Sequence, residues 1–186
     1  MPIRVRAVMV AGLALSVLAV PAPPPTVAAP QAEVPAWLTR AMAAMVGRWT
    51  ADNAAYRSDR EPADAYGITW EWGAGRQSVV GRLYTVTGGR ETDLHWQFRV
   101  FWHPGERRAV VQQFGSHGVV GIGELKPLVD DTAGTEADQR FYSLDGSSAR
   151  VRHVETMRDG VRQTASFDWV DGAWQPRRTY TWRRGP

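Results

Sequence analysis

Four histidines, His95, His103, His117 and His153, are the strongest reagents in this chain. An imidazole changes charge near neutral pH, so it can serve as general acid, general base or metal ligand. Set beside Glu124, His103 or His117 would form an acid/base pair for turnover of a bound molecule. A zinc or iron site would need three or four converging ligands, and no interval between these residues has ligand spacing. Neither metal nor cofactor is therefore expected: His103 should cap a turn, His117 should sit in a loop, and His95 and His153 should face solvent. If a polar site exists, it is expected between Phe101 and Glu124, where His103, Glu106, Gln112, Gln113, His117 and Glu124 are concentrated. Nucleophilic machinery is missing, because there is no Cys and no Gly-x-Ser-x-Gly, and Ser143, Ser147, Ser148 and Ser166 stand beside no base. No catalytic residue is assigned. Gly121-Ile122-Gly123 does not open a helix as a phosphate loop would, and close backbone approach within a strand explains it better. Asp130-Asp131 reads as a solvated turn.

Aromatic residues are the larger signal, with 9 Trp, 5 Tyr and 5 Phe. Trp70, Trp72, Trp96, Phe98, Trp102, Phe114, Trp169, Tyr180 and Trp182 would share one side if strand alternation holds. Small-molecule sites are mostly apolar clefts with a few orienting polar groups. Trp70, Trp72, Trp96, Phe98, Trp102, Phe114 and Tyr180 are therefore candidate walls of a ligand site, with Arg99 and His117 as candidate orienting groups. The competing reading is that these rings simply fill a core. Arg178, Tyr180, Trp182 and Arg184 interleave as on a nucleic-acid stacking sheet, but the charge balance is against that partner. Arginine stems covering the rings at a solvated strand end explain the pattern better.

The elements that must hold these residues follow from periodicity. Trp37, Leu38, Ala41, Met42, Met45 and Val46 recur at helical spacing, predicting a short helix over 36–46 that stops at Gly47. From Trp49 the period becomes two: Ile68, Trp70 and Trp72 alternate with Thr69 and Glu71, and Leu94, Trp96, Phe98, Val100 and Trp102 alternate with His95, Gln97, Arg99 and Phe101. Gly88-Gly89, Pro104-Gly105, Asp145-Gly146, Asp159-Gly160 and Asp171-Gly172 punctuate the runs as hairpin turns. Runs fall near 48–55, 66–74, 78–87, 92–102, 107–115, 119–128, 138–144, 149–157, 161–170 and 173–183. An all-β fold follows: a single antiparallel up-and-down barrel of 8 to 10 strands with one short N-terminal helix, closed because closure removes unpaired edges. The polar stretch 53–65 would cover a barrel mouth.

The first residues read as an address. Arg4 and Arg6 precede a 14-residue apolar run, Ala7 to Val20, and then the small, proline-rich stretch 21–30, the n-, h- and c-regions of a signal peptide. The run is short for a membrane helix, so the chain is expected not to span a membrane. Residues 1–29 are assigned to the leader, with cleavage after Ala29 or after Ala22, and 30–186 to one barrel domain. Losing Arg4 and Arg6 takes the formal charge from +3 to +1, too little to draw the chain to nucleic acid. An exported protein, periplasmic or extracellular, is expected, held by an ordinary core in place of disulfides.

The helix leading into Gly47-Arg48-Trp49, together with Arg183 or Arg184 near the end of the last strand run, resembles the lipocalin-like calycin barrels, and in particular exported bacterial domains of that type. The resemblance covers nearly the whole mature chain. It implies that an arginine packs over Trp49 and that the barrel encloses a cavity for a small, largely apolar molecule. The expected function is binding of such a molecule in the lumen without chemistry on it. The alternatives are a barrel enzyme using His103 or His117 with Glu124, and an envelope module binding protein or polysaccharide through exposed Trp.

Overall fold

A computed structural model describes residues 33–129 and 133–185. The expected leader and Asp130-Asp131 lie outside the described residues. Helix α1 (Ala36–Met45) leads into ten strands: β1 (Gly47–Asp52), β2 (Ala65–Trp72), β3 (Ser78–Thr87), β4 (Arg90–His103), β5 (Arg108–Gly115), β6 (Val120–Pro127), β7 (Thr135–Tyr142), β8 (Ser148–Arg158), β9 (Val161–Val170) and β10 (Ala173–Arg184). Each strand pairs antiparallel with its sequence neighbours, and β1 pairs with β10 to close the barrel. The expected all-β, up-and-down barrel is therefore the fold, at the upper end of the expected strand count.

Turn chemistry sets this meander. Gly88-Gly89, Asp159-Gly160 and Asp171-Gly172 all have positive φ at both positions, the geometry whose twist matches a two-residue hairpin. Asp145-Gly146 is different: only Gly146 has positive φ, and the Asp145 side chain accepts the Ser147 N–H at 2.9 Å. That turn occupies 143–147, so β7 ends at Tyr142 and starts at Thr135, earlier than the run expected from residue 138.

Leu38, Ala41, Met42 and Met45 form the buried stripe of α1, the i, i+3, i+4, i+7 face of an amphipathic helix. They join Trp49, Val79, Val100, Ala109, Leu125 and Trp182 in one core cluster, against which Trp72 and Trp102 are packed. The core therefore sits at the end of the barrel that α1 closes. Trp49 fixes the junction. Its indole N–H donates to the Met45 carbonyl at 2.8 Å, and the Arg184 guanidinium lies 5.0 Å from its ring centre while donating to the Val46 carbonyl at 2.8 Å. Two main-chain carbonyls at the end of the helix thus gain partners, and the arginine over Trp49 is Arg184.

Candidate ligand-binding cavity

Below the core the barrel is hollow. A cavity of about 520 Å³ runs from Met45 of α1 toward the far end of the strands, walled by Ile68, Trp70, Leu83, Trp96, Phe98 and further side chains. Its existence in so aromatic a barrel has a local cause. Trp70 pairs in register with Gly81, Trp96 with Gly115 and Phe141 with Gly121. A Cβ on Gly81 would lie 2.7 Å from the Trp70 ring and one on Gly115 3.0 Å from Trp96, while one on Gly121 would run into Phe141. Each ring lies over a bare backbone on the next strand, so it stays against the wall instead of crossing the lumen. Gly121 and Gly123 accordingly mark close approach, Gly123 against the backbone at Asp138.

The wall also carries polar groups. The Gln113 amide donates to Gln139 Oε1 at 2.8 Å, and His153 Nδ1 lies 3.2 Å from the same oxygen, which fits an imidazole carrying its proton on Nδ1. Removal from water pushes the His153 pKa down to about 4, helped by the Arg177 charge and opposed by Asp168. The ring is therefore neutral at physiological pH. Nearer α1, Arg162 is 3 % exposed and forms an ion pair with Glu155 through Nη2. Its guanidinium lies 5.7 Å from the Trp49 ring centre and 5.8 Å from that of Trp70. Trp182 closes this corner by donating its indole N–H to Thr164 Oγ1 at 3.0 Å.

At the opposite end the loop 53–64 is tied to the rim. Buried Asn53 clamps its own loop by donating from Nδ2 to the Ala63 carbonyl at 3.1 Å. Arg178 donates to both Glu61 oxygens at 2.5 Å, and the Tyr66 hydroxyl donates to Glu61 Oε1 at 2.6 Å. Tyr180 donates to Asn53 Oδ1 at 3.2 Å. Since Tyr66, Arg178 and Tyr180 also line the cavity, the loop is fastened directly to its wall. Burial raises the Glu61 pKa, but the bonds from Arg178 and Tyr66, with the Arg178 charge, outweigh it and hold the carboxyl below its usual value. Burial and Glu61 push the Tyr66 hydroxyl up.

Of the residues singled out from sequence, Trp70, Trp96, Phe98 and Tyr180 line the cavity. Trp72 and Trp102 pack against the core cluster, outside the cavity lining. Arg99, Phe114 and His117 are exposed and outside the lining. Phe114 has the opposite parity to the inward set: β5 turns Val111 and Gln113 to the lumen, so Phe114 faces out. Trp169 faces out for the same reason, meeting Trp174 edge to face with ring centres 5.0 Å apart, because β9 turns Thr164, Ser166 and Asp168 to the lumen. Alternation reveals two faces, and on β9 the aromatic face is the outer one.

Two histidines expected in solvent line the cavity. His153 follows the alternation of β8 with Val151 and Glu155. His95 comes inward because Leu83 pairs with Trp96 while the next residue, Tyr84, pairs with Leu94, leaving His95 as the extra residue of a bulge. His103 does cap its turn, its Nδ1 accepting the Glu106 N–H at 3.1 Å. His103 and His117 lie beyond opposite ends of β5, and Glu124 contacts Lys126 at 3.4 Å, so the proposed acid/base residues are not assembled at one place. No group of three or more His, Asp or Glu converges as a metal site among the described residues. Compared with protein-family models and with curated protein sequences, the chain matches none.

Proposed function

We propose that this chain is an exported, lipocalin-like barrel that binds a small molecule with a largely apolar body in its lumen. The observation that carries this reading is the cavity of about 520 Å³. Protein interiors are ordinarily close-packed, with few voids larger than a water molecule, whereas ligand sites are concave, mostly apolar and a few hundred Å³ in volume. Here the glycine partners of Trp70, Trp96 and Phe141 keep the space open, and the helix and the fastened loop shelter its two ends. Trp70, Trp96, Phe98 and Tyr180 supply apolar surface, while Gln139, His153 and Arg162 take the orienting role assigned from sequence to Arg99 and His117. Export rests on the arginine-led apolar run before residue 30.

Native mass spectrometry of the protein recovered from the secreted fraction of its own host tests both parts. The expected result is a chain lacking residues 1–29 or 1–22 with an added mass of a few hundred daltons that denaturation removes. A bare mass, combined with failure to take up a neutral probe such as Nile red, overturns the lumen reading; retention of residues 1–29 inside the cell overturns export.

A further inference from the structure

The cavity wall carries an unusual polar inventory. Buried atoms without a hydrogen-bond partner include Trp70 Nε1, Arg162 Nε, Arg162 Nη1, Gln139 Nε2 and His95 Nε2, and all four residues line the lumen. The first four atoms can only donate. Two neighbouring acceptors already have other partners: Gln139 Oε1 faces both Gln113 and His153, and Glu155 Oε2 takes Arg162 Nη2. A buried donor left unpaired is costly, and the cost is removed when an acceptor enters.

Charge narrows the acceptor further. Every arginine lining the cavity has a carboxylate: Arg162 has Glu155, Arg177 has Asp168 at 3.5 Å, and Arg178 has Glu61 at 2.5 Å. The donors are unpaired, but the positive charge is not. Among the described residues an ionised ligand would find no free arginine at the closed end and would lie beside the Glu155 carboxylate, losing its hydration without a counter-charge. A neutral oxygen avoids that loss while still accepting from the guanidinium, and hydrogen bonds to a charged donor are among the stronger ones.

Resting on the lumen reading, we infer that the ligand is an uncharged, ring-bodied molecule whose carbonyl-type oxygen accepts from Arg162 and Trp70 at the helix-capped end, and that carboxylic acids are disfavoured. Aromatic walls take its body. Gln139, whose register partner Val151 stands four residues of β8 from Glu155, offers a second donor roughly 13 Å from the first by strand rise. A second neutral acceptor on the same molecule would engage it.

Three probes of one skeleton decide the matter: 1-acetylpyrene, 1-ethylpyrene and pyrene-1-carboxylate, compared by equilibrium dialysis against the intact mature protein at pH 7.5. The expected result is that the ketone binds about tenfold or more tighter than either the hydrocarbon or the acid. The ketone-to-hydrocarbon ratio should fall toward one in Arg162→Met combined with Glu155→Gln, which leaves no carboxylate without its cation. It should fall severalfold in Trp70→Phe, which removes the N–H and keeps a ring and the ion pair. A ratio within twofold in the wild type, or tightest binding of the carboxylate, overturns this inference while binding of the hydrocarbon leaves the lumen reading standing. No binding by any probe overturns both.

Discussion

Arg178 on the last strand and Glu61 in the loop after the first strand are joined by two hydrogen bonds of 2.5 Å across 117 residues of sequence. Tyr66 gives Glu61 a third bond, so one carboxylate anchors the loop to the cavity wall. Glu61→Gln keeps the size and loses the charge. Trypsin cleavage after Arg57 or Arg60 in that loop should then become several times faster at pH 8, and exchange of a bound probe faster with it, both followed over time.

Acid should release the same anchor. The Glu61 carboxyl is held below its ordinary value of 4.5, so its contribution is complete above that pH and is lost as pH falls through the lower folded value. Hydrogen exchange of residues 53–64 between pH 6 and pH 3 should show protection lost in the wild type at the acid end, and already reduced at pH 6 in Glu61→Gln.

His153 works over a higher window. Its pKa is pushed from 6.5 down to about 4 by removal from water and by Arg177. The unfolded chain therefore binds a proton near pH 6.5 that the folded chain refuses until about pH 4, and stability falls across that interval. Urea unfolding at pH 7.5 and pH 4.5 should give a difference that shrinks in His153→Gln, whose amide preserves a donor toward Gln139.

Gly81→Ala should cost about 1–3 kcal/mol by overpacking, since the new methyl meets the Trp70 ring at 2.7 Å. The indole must move inward, so the affinity for a lumen probe should drop as well. Gly75→Ala, at a positive φ with no atom within 4 Å of the added carbon, should lose stability through backbone strain alone and keep its affinity. Chemical denaturation and probe titration on both variants separate the two effects.

Trp49→Phe should cost about 1 kcal/mol for the lost bond to Met45, and Arg184→Ala about 1–2 kcal/mol for the lost contact with the Trp49 ring together with the lost bond to the Val46 carbonyl. Their effects should not add, because both act on the helix–barrel junction. A double-mutant cycle measured by urea unfolding gives the coupling.

Most of the barrel was legible because its information is local. Period-two runs and Asp-Gly turns are written over a few residues, and Gly47, Trp49 and Arg184 announce the capped end. The cavity was legible only in part, because its lining depends on which face of each strand turns inward. On β4 the aromatic face is inside, so Trp96 and Phe98 were found. On β9 it is outside, so Arg162, Thr164 and Ser166 were missed although they share one parity in the sequence. His95 needed a bulge, set by the register of β3 against β4, and no pattern within β4 encodes that. Arg162 resembled any solvated arginine until Glu155 was placed beside it.

Closure of the barrel rests on a short seam: β1 and β10 pair in register at Trp49 with Arg184 and at Thr50 with Arg183, and the Gly185 N–H donates to the Arg48 carbonyl at 2.9 Å. This contact joins the first strand to the last, so it has nearly the longest sequence separation the domain permits, and such contacts form late and slowly. While the chain is being synthesised, β1 has no partner on that side until the final strand has emerged. A ring that cannot shut before β10 arrives leaves the facing edge of β1 open until then to pairing with the edge of another chain.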